Sequence, residues 1–209
     1  MANVEIDGVN SKVYTDQVDP KTGTTLTLGT SGDAVSIPSG VTIANSGTAT
    51  GFGIAEVDNW RISATQSISA DTGTVVNSSW ERNDTNSDKI GTGLTESSGV
   101  FTFPSTGIYL ISYQQNIARS GDSRYFTGSI MLSTNSGVAY SIVARSYTNI
   151  TQVASSQTSS GLCTSCTIDV TDASTFRLRF ETDGDEAYDL RAESTYQITG
   201  FYCIKLGDT

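Results

Sequence analysis

The sequence has 209 residues, 16% of them charged, with a formal net charge of −10 and no histidine. The length suits one ordinary domain or a smaller one carrying an extension, and the acidity disfavours binding to a nucleic-acid phosphate backbone. Without histidine, Ser-His-Asp and Cys-His arrangements and an HExxH metal site are excluded.

The chain opens Met1-Ala2-Asn3-Val4-Glu5, without the basic and apolar regions of a signal peptide, so synthesis and maturation in the cytosol are expected. No run is long and apolar enough to span a membrane, and membrane insertion is not expected. Residues 1–51 hold one aromatic, Tyr14, and cannot build an independent core. Their apolar residues come in alternating pairs, Leu26 with Leu28, Val35 with Ile37 and Val41 with Ile43, punctuated by Gly29, Gly32, Gly40 and Gly47. This pattern predicts very short, repeatedly turned strands. Thr25-Leu26-Thr27-Leu28-Gly29-Thr30-Ser31-Gly32 reads like Gly40-Val41-Thr42-Ile43-Ala44-Asn45-Ser46-Gly47, a weak repeat whose units need neighbours for burial. The segment reads as an anchor or shaft, with a Ser/Gly-rich linker as the alternative.

From residue 52 onward aromatics return and period-2 alternation is sustained. Strands are expected near 54–67, 75–81, 99–103, 107–115, 124–134, 139–147, 161–170, 176–181 and 196–206, with turns at Ser120-Gly121-Asp122 and Asp183-Gly184-Asp185. No segment has helical periodicity, so the fold class is all-β, a sandwich, jelly roll or barrel. Within 107–115, Tyr109, Ile111 and Tyr113 share one face and Ile108 and Leu110 the other. A strand apolar on both faces belongs inside a sandwich or against another subunit.

Phe101-Thr102-Phe103-Pro104-Ser105-Thr106-Gly107-Ile108-Tyr109-Leu110-Ile111-Ser112-Tyr113 resembles the signature of the complement C1q globular head, a relative of tumour necrosis factor. Phe101, Gly107, Tyr109 and Tyr113 occupy the places of that pattern's aromatic, glycine, tyrosine and closing aromatic, and Leu94 the preceding bulky position. The run Tyr196-Gln197-Ile198-Thr199-Gly200-Phe201 looks like the family's closing strand. Ile111 stands where the family has Phe, and Lys89 where it has an acidic or amide residue. The resemblance covers residues 52–209 and implies an antiparallel jelly-roll head. It also implies a homotrimer, with Phe101, Gly107, Tyr109, Ile111, Tyr113 and Phe201 at the core or trimer axis, that binds proteins, sugars or cell surfaces rather than catalysing. Lys21 to Gly29, with Ser31-Gly32-Asp33 and Ile37-Pro38-Ser39-Gly40, resembles the opening of structural proteins of marine tailed phages.

Among candidate sites, Asp183, Asp185, Glu186 and Asp189 crowd one stretch before the final strand and offer hard oxygen ligands for Ca²⁺, against a solvated acidic turn. Cys163, Cys166 and Cys203 are too few for a four-ligand zinc site and odd in number, so free thiols are expected. Glu81, Glu96, Asp122 and Glu181 are carboxylates from which a glycosidase pair could be drawn, without distinguishing context. Arg119, Arg124, Tyr125 and Phe126 surround a turn and could recognise a ligand, although Tyr125 and Phe126 could instead alternate into the core. The expected function is that of a phage virion structural protein, a tail-fibre or spike subunit with a trimeric head for host-surface glycans or proteins. Residues 1–51 would dock on other virion proteins. A capsid decoration or cement protein is the alternative, favoured by a chain short for a long fibre, and a polysaccharide depolymerase a distant one.

Overall fold

The computed structural model describes residues 18, 23–29, 31–43, 53–83, 87–153 and 155–209. The chain divides into two units, Met1–Ala49 and Thr50–Thr209. In the first, the described residues form turns and no strand. Leu26, Leu28, Val35, Ile37, Val41 and Ile43 are all exposed, which corrects the expected short strands. The physical reason is the one the composition suggested: a two-residue apolar pair has no neighbouring strand in its own chain against which to close a ladder. The expectations for residues 1–17 and 44–52 fall outside the described residues.

The second unit is all-β. In chain order the strands are β1 Val57–Ile62, β2 Gln66–Ile68, β3 Thr74–Val75, β4 Trp80–Arg82, β5 Thr95–Ser97, β6 Val100–Thr102 and β7 Gly107–Arg119. There follow β8 Ser123–Ser133, β9 Ser141–Ile150, β10 Thr158–Val170, β11 Arg177–Gly184, β12 Tyr188–Leu190 and β13 Gly200–Gly207. Among the described residues every pairing is antiparallel and no helix forms. One sheet runs β2-β12-β7-β13-β1-β4 with β10 on the other side of β7; the second runs β5-β6-β11-β8-β9 with β3 on β11. Two antiparallel sheets closing over one interior make a jelly-roll sandwich.

The core lies between the sheets because alternate residues of each strand point inward. From β7 these are Tyr109, Ile111 and Tyr113, all fully buried. Register places Phe201 beside Tyr113, and Cys203 and Cys166 on either side of Ile111. Aromatic rings fill one cluster: Phe180 stands 4.5 Å from Phe201 and 4.6 Å from Tyr113, and Phe101 lies 4.7 Å edge-on to Phe201. A smaller cluster gathers Ile62, Ile117, Phe126, Tyr188 and Leu190. Between them sits a polar layer. Tyr113 donates to Gln115 Oε1 at 3.0 Å, the Gln115 amide donates to the Thr127 carbonyl at 2.8 Å, and Thr182 bonds both that carbonyl and the Tyr188 hydroxyl. The Tyr113 hydroxyl, the Gln115 side chain, the Thr127 carbonyl and the Thr182 hydroxyl are thereby all met, as buried dipoles in a dry interior must be.

Gly107 shows why the signature turn needs glycine. Its φ is +143°, and a Cβ there would stand 2.3 Å from Lys205 Cε and 2.7 Å from the Gly207 carbonyl oxygen. The expected strand bounds shift in several places. The run 54–67 breaks into β1 and β2, 75–81 into the tips of β3 and β4, and the closing strand starts at Gly200 rather than 196. Asp183 and Gly184 belong to β11, so the turn begins at Asp185.

Candidate functional site

Strand directions sort the loops into two poles. β1 starts, β7 starts and β13 ends at one pole, since Val57 pairs with Ile204 and Ile108 with Gly207. The turns after Ser133 and Val170 lie there too, because β8 and β10 run antiparallel to β7 and β11 through registers ending at Arg177–Ser133 and Val170–Gly107. At the opposite pole stand three loops that cross between the sheets: 120–122 between β7 and β8, 151–157 between β9 and β10, and 185–187 between β11 and β12.

That second pole collects the charged residues singled out in the sequence. Arg119, at the end of β7, donates to the Asp122 carbonyl and to Glu186 Oε2 at 3.3 Å. Arg124 Nε reaches Asp185 Oδ2 at 2.7 Å, and Ser123 Oγ donates to Asp185 Oδ1 at 2.5 Å. These bonds, the Ser123 hydroxyl first, hold the Asp185 carboxyl down to about 2. Asp189 accepts from Ser67 Oγ at 3.0 Å and from Gln157 Nε2 at 2.9 Å. Two clefts open on either side of the Arg119–Glu186 pair. One of about 270 Å³ is lined by Ser67, Arg119, Gln157, Tyr188 and Asp189, and one of about 310 Å³ by Asp122, Arg124, Asn149, Thr151 and Asp185.

The four proposed calcium ligands therefore share a pole without converging. Asp185 is held by Ser123 and Arg124, Glu186 by Arg119, Asp189 by Ser67 and Gln157, and Asp183 stands earlier on β11 with Oδ1 buried and unpartnered. Among the described residues no group of three or more His, Cys, Asp or Glu side chains could hold a metal ion. Adjacent acidic residues leaving a strand point to opposite sides, and Asp185, Glu186 and Asp189 have each found separate donors. Tyr125 and Phe126 divide in the same way: Phe126 is fully buried, 4.7 Å from the Tyr188 ring, while Tyr125 is half-buried.

The other carboxylates are spread among different partners. Glu81 pairs with Arg61 at 2.7 Å, Glu181 with Arg145 at 3.2 Å, Glu96 accepts from the Gly99 amide, and Asp122 from the Gln152 amide. Cys163, Cys166 and Cys203 are free thiols: the first is exposed, the second half-buried, the third buried. Three residues apart on a strand, Cys163 and Cys166 face opposite sides of the sheet, so their spacing cannot chelate. Burial raises the Cys203 thiol well above its ordinary range.

A second surface concerns the outer side of the first sheet. Ile108 and Leu110 are only half-buried there, beside half-buried Ile204 and Val57, with Tyr202 exposed in the same rows. This apolar strip was legible in the alternation of β7; its extension onto β1 and β13 was not, since it needs the register.

No family model matches the chain, and no curated protein matches it. Among solved structures the chain is similar to the Eiger TNF of S. frugiperda, with a TM-score of 0.52 and 14% identity over 73% of this chain and 93% of that one. At that identity the likeness shows the fold: a TNF-like jelly roll.

Proposed function

We propose that the chain is a subunit of a homotrimeric virion protein of a tailed bacteriophage, a tail-fibre or spike head that binds the host surface. Residues 1–51 attach it to the particle. The observation that carries this reading is the strip Ile108, Leu110, Ile204 and Tyr202, which lies on the outside of a sheet whose inner face already supplies the core. A copy of the same head covers such a strip without needing a different partner. Each of its Leu or Ile side chains is already half-buried, so covering the rest contributes about half of the ~1.5–3 kcal/mol that full burial brings. The pole arrangement supports the same reading, since β1 begins at the pole opposite the loops that line the two clefts.

What supports binding rather than catalysis is the pole's chemistry, where Arg119 pairs with Glu186 and Arg124 with Asp185 beside two polar clefts. Such clefts suit sugar hydroxyls or a polar protein loop. The test is competition: a head comprising residues 52–209, added in excess, blocks adsorption of the phage to its host. If adsorption is untouched and particles lacking the protein burst more readily on heating, the head decorates the capsid and the adhesin reading fails.

A further inference from the structure

The outer face of the second sheet carries an arrangement that the pole and the trimer strip do not use. Strand register lays it out in rows: Arg177 opposite Ser133, Arg179 opposite Met131, Glu181 opposite Ser129 and Arg145, and Asp183 opposite Thr127 and Tyr147. The Arg179 guanidinium carbon lies 3.8 Å from the centroid of the Tyr140 ring. Arg145 donates to Ser129 at 2.7 Å and pairs with Glu181 at 3.2 Å. Arg177 donates to the carbonyls of Ala173, Ser174 and Phe176 at the preceding turn. Arg179 differs: among the described residues no carboxylate or carbonyl accepts from it, and its Nε and the Tyr140 hydroxyl are buried without a partner.

A guanidinium stacked on an aromatic ring is held flat and in one orientation, so it loses little freedom when a planar anion docks edge-on. Three guanidiniums stand here against the Glu181 and Asp183 carboxylates, in a chain of net charge −10. The whole-molecule field opposes any anion, so a partner must be held by short, directional contacts at the guanidinium fork rather than by net attraction. Two rows further along and two strands across, on β9, the Tyr147 ring is 66% exposed on the same face, about 16 Å from Arg179 at ~3.3 Å per residue and ~4.8 Å per strand. An exposed tyrosine offers a flat apolar surface with a polar tip.

We infer that this face binds a carboxylate-bearing oligosaccharide, with a uronate carboxylate bidentate on Arg179 and a further sugar stacked on Tyr147. The site stands on its own observations and holds whether the protein sits on a tail or a capsid. The probes are tetragalacturonate, galacturonate monomer and neutral maltotetraose, titrated calorimetrically into the full-length protein. Tetragalacturonate binds, the monomer binds at least about tenfold more weakly because it cannot span to Tyr147, and maltotetraose does not bind. Arg179→Ala weakens tetragalacturonate by about tenfold or more, the loss of a charge-assisted bidentate contact. Arg179→Lys does not restore it, because a point charge lacks the fork. Lys89→Ala, on the loop before β5, leaves it unchanged, and a melting curve for each variant confirms that the fold is kept. No heat with tetragalacturonate at millimolar concentration, or equal affinity in wild type and Arg179→Ala, overturns the inference. Equal binding of maltotetraose would also overturn it, since the carboxylate would then play no part.

Discussion

At the scale of single residues, the carboxylate that matters most to the fold is one the sequence does not single out. Asp58 is 1% exposed and accepts from the Trp60 indole at 2.9 Å, Arg82 Nε at 2.8 Å and the Leu94 amide at 2.7 Å. It thereby ties β1 to β4 and to the loop that enters β5. Asp58→Ala leaves Arg82, whose own pKa is raised chiefly by this bond, over Trp60 without its anion. The variant is expected to lose about 3 kcal/mol, as when one partner of a buried pair is removed, measured as a lower urea midpoint. Asp185 gives a pH dependence. Its folded pKa of about 2 lies below the ordinary 3.8, so its contribution is fully present above the unfolded value and is lost as pH falls from about 4 towards 2. Asp185→Asn should flatten that part of the acid limb of a melting-temperature profile; an unchanged limb would show that Ser123 and Arg124 do not hold the carboxylate in solution. Neither role shows in local sequence, because the partners of Asp58 lie up to 36 residues away and Ser123 lies 62 from Asp185.

Among the elements, β7 was the most legible, because thirteen residues alternate with buried aromatics at Tyr109 and Tyr113 and one face is wholly interior. Tyr109 is fully buried and its hydroxyl donates to the Ser105 carbonyl at 3.0 Å. Tyr109→Ala is therefore expected to cost about 3–5 kcal/mol through lost burial and a cavity that the two flanking strands cannot close. A melting temperature equal to wild type would contradict the placement of this strand. The three-residue β5 and β12 escaped the pattern, since three residues hold too little alternation to be distinguished from turn. The first part of the chain misled for the opposite reason. Leu26 with Leu28 and Val35 with Ile37 have strand alternation, but periodicity reports which side a residue would face and not whether a partner strand exists. The same gap applies to the acidic stretch before β12: clustering in sequence suggested converging ligands, and the pleat turned the carboxylates towards separate donors.

For the molecule as a whole, the argument turns on what each unit can bury alone. The unit from Thr50 onward closes two sheets over an aromatic core, whereas seven large apolar residues described in the first unit stay exposed. A chain beginning near Gly51 should therefore unfold cooperatively at a temperature close to that of the full-length protein. It should also remain trimeric by light scattering, because the proposed contact strip of Ile108, Leu110 and Ile204 lies wholly within it. Leu110→Glu, which places a charge on the outer face while leaving Tyr109 and Ile111 in the core, should dissociate the trimer with little change in the circular dichroism of the strands. A monomeric wild type at micromolar concentration would sink the trimer, and a Leu110→Glu variant that stays trimeric would place the contact elsewhere on the head. The truncated chain should fail to join particles, having lost the segment proposed to dock. If it incorporates normally, attachment must run through the pole where β1 begins, and the exposed pairs Leu26 with Leu28 and Val41 with Ile43 need a different partner from the virion.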